Sequence, residues 1–148
     1  MRAIVQGASG IILTITACTT NPSHLLAAGW SVQKNQSVAS AQSTCSAQSG
    51  PLTAFALRMP SGDTSLWVTA ITGDGLYPGS TVYLSVDGQR FAGEESIRLT
   101  PELLSALRAG TTAHISWSPW PWGTREETAV AMRGFSDAFA ECEAFIHR

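Results

Sequence analysis

Charge, lysine and long apolar runs are all scarce in this chain, and each shortage removes a class of function. Charged residues make up 14% of its 148 positions, against the usual quarter or so. Lys34 is the only lysine, and the net charge is −2. Nucleic-acid binders cluster Lys and Arg to grip the phosphate backbone, so no nucleic-acid partner is expected. The longest apolar stretch, Ala3 to Ala17, is diluted by Gln6, Ser9 and two glycines. It falls short of the roughly 20 residues that a spanning helix needs.

Motifs for chemistry are equally thin. His24, His114 and His147 lie far apart, and none has the i+3 or i+4 partner of a helical ligand pair. No metal and no cofactor are expected. There is no Gly-x-Ser-x-Gly elbow. Glu94-Glu95 and Glu126-Glu127 are adjacent carboxylates, but neighbours on a strand point to opposite faces, so neither pair converges. Ser136 and Asp137 stand at a strand-to-helix turn, where the plain reading makes them caps for the free N–H groups of the helix start. No catalytic residue is assigned, and the chain is not expected to be an enzyme.

What is present begins with Cys18, at the end of the N-terminal apolar run. Arg2 supplies a positive n-region, Ala3 to Ala17 a short h-region, and Ile15-Thr16-Ala17-Cys18 resembles a bacterial lipobox. This divides the chain into a lipoprotein signal peptide (1–17), a lipidated N-terminus and tether (18–28), and a folded domain (29–148). A conventional signal cut after Ala28 is the plainer alternative. Lipidation at Cys18 predicts a membrane partner through the lipid, and Thr19 lacks the acidic character of an inner-membrane retention signal. The location expected is therefore the cell envelope, at the outer membrane. In that oxidising setting Cys45 and Cys142 form the remaining pair. Linking positions about a hundred residues apart removes about 4–5 kcal/mol of denatured-state freedom.

The domain reads as many short strands with turns between them. Strands are expected over Gly29–Lys34 and around Cys45, then over Leu52–Arg58, Ser65–Thr72 and Thr81–Val86. Asp87-Gly88 marks a tight hairpin, with Gln89–Phe91 as its return arm. Further strands are expected over Glu95–Leu99, Thr112–Ser118 and Glu127–Met132. Two short helices complete the pattern. One spans about 101–109, with Thr100 as N-cap, Pro101 in the first turn and Leu103, Leu104 and Leu107 inward. The other spans about 135–146, where Phe135, Ala138, Phe139, Cys142 and Ile146 recur at steps of three and four. The fold class is mainly β, a single sandwich or barrel-like domain with two helices.

One surface feature stands out. Trp117, Trp120 and Trp122 lie within six residues and are separated by Pro119 and Pro121. Rigid clustered tryptophans suit a binding surface for a protein, a glycan or the lipid interface. The plainer reading, which is preferred, puts Trp117 in the core and leaves the other two to cap one end of the domain.

The order of these parts resembles the invasion-associated locus B family of small exported bacterial proteins. The resemblance is carried by Trp30, Cys45-Ser46-Ala47 and Pro78-Gly79, and by the Val86-Asp87-Gly88 hairpin. The Leu103–Gly110 helix and the Met132–Phe139 closing segment complete it. It implies an exported, mainly β domain of the kind linked to host-cell invasion or envelope functions, with no established enzymatic activity; a lipobox is a departure from the family's common form. A second possibility is an inhibitor of an envelope-active enzyme, similar to the small periplasmic lysozyme inhibitors.

Overall fold

The computed structural model describes His24–Leu25 and residues 29–148. Cys18 and the predicted signal lie outside the described residues, as does the tether apart from His24–Leu25. Ten strands and two helices follow in the order β1 (His24–Leu25), β2 (Ser31–Ser37), β3 (Gln42–Ser49), β4 (Leu52–Arg58), β5 (Thr64–Ala70), β6 (Thr81–Val86), β7 (Gln89–Glu94), β8 (Ile97–Arg98), α1 (Pro101–Ala109), β9 (Thr112–Trp117), β10 (Glu126–Ala131) and α2 (Phe135–Ile146). The strands form two antiparallel sheets. A six-stranded sheet runs β1-β2-β3-β4-β5-β8 and a four-stranded sheet runs β10-β9-β6-β7. The result is a sandwich-like fold, and the described strands do not close into a barrel.

Composition explains the local choices. Asp87 and Gly88 both take positive φ, 45° and 88°, the conformation a two-residue type I′ hairpin requires. Gln89 pairs with Val86 immediately after the turn. The return strand runs on to Glu94, three residues beyond the expected Phe91. Gly93 makes this extension workable. A Cβ there would stand 2.0 Å from the Ser96 carbonyl oxygen, so only glycine lets the chain fold back into β8. Residues 35–48, rich in serine and glutamine, form most of the β2–β3 hairpin. Its backbone pairs from Ser31↔Gln48 to Ser37↔Gln42. His24–Leu25, in the expected tether, pairs with β2.

The core is one continuous cluster between the sheets and α2. The inner faces give Val32, Cys45, Ala47, Ala54, Ala56 and Val68 from one sheet, and Val82, Leu84, Val86, Ala113 and Ile115 from the other. Every member of the predicted α2 stripe is buried. The Trp30 ring meets Phe135 edge-on at 5.1 Å, and Phe135 stacks on Phe139 at 5.5 Å. Trp30 also donates its indole N–H to the Ala131 carbonyl at 3.2 Å. In α1, Leu103 and Leu107 are buried, and Leu104 is partly buried and packs against the same core.

Helix α2 is fastened across the six-stranded sheet by several independent contacts. Cys142 is disulfide-bonded to Cys45 in the middle of β3, across 97 residues, with Cα atoms 5.2 Å apart. Lys34 on β2 pairs with Glu141, and Arg58 on β4 donates to the Ile146 carbonyl at 2.8 Å. Arg108 of α1 meets Glu143 at 2.8 Å. The start of α2 corrects an expectation. Gly134, in the left-handed conformation at φ 90°, is the N-cap and no side chain caps it. Ser136 and Asp137 are exposed and neither acts as the cap. A capping side chain must sit at the residue before the first turn, and glycine occupies that place.

Candidate binding surface

The outward face of the four-stranded sheet is a small ordered grid. Strand pairing sets Glu127 opposite Ser116, Ser116 opposite Tyr83, and Tyr83 opposite Ala92 in one row. The next row on that face is Ala129, His114, Ser85 and Arg90. The alternation that buries Val82, Leu84, Ala113 and Ile115 turns these residues outward. Tyr83, Ser85, Arg90, His114, Ser116 and Glu127 line a hollow of about 600 Å³, together with Arg125.

A second hollow of about 560 Å³ adjoins the first. Its walls include Tyr77, Ser80, Ser118 and Trp122, and it shares Tyr83 and Arg125 with its neighbour. The Arg125 guanidinium sits 4.2 Å from the centre of the Tyr83 ring, an attraction between a cation and the negative face of an aromatic ring. Tyr77 stacks on Trp120 with centroids 5.7 Å apart. Two backbone contacts hold the Trp loop against the segment before β6, from Tyr77 N–H to the Ser118 carbonyl and from Trp120 N–H to the Gly75 carbonyl. The loop is therefore bound down at the end of the sheet.

The three predicted tryptophans separate cleanly. Trp117 is 5% exposed and belongs to the core, whereas Trp120 is 49% and Trp122 84% exposed. The expectation that Trp117 is core is met. The other two rings cover no core, because Trp120 rests on Tyr77 and Trp122 stands largely in solvent. They join Tyr77 and Tyr83, at 42% and 45% exposure, so four large exposed rings gather at one end of the molecule. Arg90 and Arg125 were not singled out from sequence and have no carboxylate within 4.0 Å among the described residues. Among the described residues, two of the three buried side-chain polar atoms without a hydrogen-bond partner also belong to this end, Ser80 Oγ and Trp117 Nε1.

In fold, the chain is similar to invasion associated protein B. The crystal structure of that protein from Bartonella henselae superimposes with a TM-score of 0.51, covering 82% of this chain and 96% of that one at 18% identity. The likeness is one of fold. No family model matches the sequence, and no curated protein matches it.

The remaining chemistry of the surface is modest. His114 Nδ1 lies 3.7 Å from Glu127 Oε1, close enough for an ion pair but too long for a hydrogen bond. Ser85 and Ser116 flank His114 on the grid, and among the described residues no hydrogen bond joins either hydroxyl to the imidazole. Among the described residues, no three His, Cys, Asp or Glu side chains group as metal ligands. Glu126 and Glu127 are neighbours on β10 and so point to opposite faces, whereas Glu95 lies just past β7 at a positive φ of 58°, where strand alternation does not apply.

Proposed function

We propose that this chain is a non-enzymatic, lipid-anchored protein of the bacterial envelope that acts by binding, in a role related to contact with host cells or to invasion. The observation that carries the reading is the gathering of Tyr77, Tyr83, Trp120 and Trp122 in solvent beside two guanidiniums that have no carboxylate partner among the described residues. Exposed clustered aromatic rings with arginine are the composition of contact surfaces. The fold shared with invasion associated protein B supports a host-directed role. The Cys45–Cys142 disulfide supports an oxidising location. Anchoring through Cys18 rests on the lipobox-like Ile15-Thr16-Ala17-Cys18. Held by lipid, the domain would present the aromatic end from the outer membrane.

Fractionation of producing cells tests the anchor. The wild-type protein is expected in the membrane fraction and Cys18→Ser in the soluble fraction. A Cys18→Ser protein that still sediments with membrane would refute lipidation.

A further inference from the structure

From the twin hollows and their arginines we infer the class of ligand: an acidic saccharide chain, laid across the outer face of β7, β6, β9 and β10 and over the Trp loop. The inference rests on the reading of this end as a contact surface. Three features select the ligand.

The first is the floor. It sets the hydroxyls of Ser85, Ser116 and Ser118 and the His114 imidazole beside the apolar Leu84 and Phe91, a mixed surface. An apolar anchor from a protein partner wants a dry, fully desolvated pocket, and this floor does not offer one. A sugar ring carries an apolar C–H face and a rim of hydroxyls, so it can lie on Tyr83 or Trp122 while its rim bonds the floor.

The second is the charge. The whole chain is acidic at −2, yet Arg90 and Arg125 face the two hollows and Glu127 is the single carboxylate lining either of them. Its Oε1 lies 3.7 Å from His114 Nδ1. Two fork-shaped guanidiniums with no carboxylate within 4.0 Å among the described residues fit the carboxylates of a uronic-acid chain, which they can bind bidentately.

The third is continuity. The hollows share Tyr83 and Arg125, so they form a run for an extended chain rather than two isolated pockets for small ligands.

The test is a tryptophan-fluorescence titration of the full chain with hexagalacturonate, alongside its methyl ester and hexaglutamate. Hexagalacturonate is expected to give a saturable change that weakens with added salt. Its affinity should fall about three- to tenfold in Arg90→Gln and again in Arg125→Gln, as charge-assisted bonds on an exposed surface are lost. Trp122→Ala should bind weakly while unfolding at the wild-type temperature. The uncharged ester should bind at least about tenfold more weakly than the acid. Four outcomes would overturn the inference: no saturable change with hexagalacturonate, equal binding of the ester, equal binding of hexaglutamate, or unaltered affinity in the double arginine variant. Failure of the titration while cell-surface binding still depends on Trp120 and Trp122 would sink the saccharide and leave the contact surface standing.

Discussion

Phe139 and Trp122 mark the two extremes a single side chain occupies here. Phe139 is fully buried against Phe135, and Phe139→Ala should cost about 3–5 kcal/mol in urea unfolding. Trp122 is almost wholly exposed, and Trp122→Ala should move stability by no more than about 0.5 kcal/mol. Measuring both on one protein separates the core from the contact surface. The sequence distinguished them unevenly. The α2 stripe was legible because a 3.6-residue period leaves little choice about which face is inward. The Trp loop has no period, so the burial of Trp117 and the exposure of Trp120 and Trp122 followed only in part. Arg90 and Arg125 were invisible as a pair, since nothing local says that residues 35 apart will line one groove.

At the scale of the element, caps and turns were the best guides. Thr100 accepts from the Leu103 N–H at 3.3 Å, as its position before Pro101 predicts, and Thr100→Ala should cost about 1 kcal/mol. Glu102, in the first turn of α1, has its carboxyl held below its ordinary range by its own backbone N–H, with help from Thr100. A lowered folded value means the charged form is favoured in the native state. Its contribution is therefore present above the ordinary carboxylate range and lost as pH falls through the lowered one. Glu102→Gln should flatten the acid limb of the stability profile slightly, and an unchanged limb would contradict the assignment. Gly93 is the opposite case, a residue whose sequence context gave no warning. Gly93→Ala would drive a Cβ into the Ser96 carbonyl and should destabilise toward the upper end of the about 1–3 kcal/mol typical of overpacking. The β7–β8 corner could not be read locally, because its reason is a backbone contact across a turn.

For the whole molecule, the strand and helix inventory was largely legible, while the way the sheets divide was not. Turn residues and alternation locate strands, but pairing β9 with β6 depends on global packing. The disulfide is the strongest whole-chain statement. Replacing both Cys45 and Cys142 by Ala should lower stability by about 4–5 kcal/mol, and non-reducing peptide maps of the exported protein should show one linked pair. Two free thiols there would contradict the oxidising location. The lysozyme-inhibitor alternative predicts inhibition at nanomolar protein; its absence favours the contact role. The central claim, that this domain works through its aromatic end, is tested most directly by saturation binding of the labelled full chain to cultured host cells. Wild-type protein is predicted to bind saturably, and a Trp120→Ala/Trp122→Ala double variant of equal stability to bind at least about tenfold more weakly, the scale of a lost interface hot spot. Equal binding of the two proteins, or no binding by either, would contradict it.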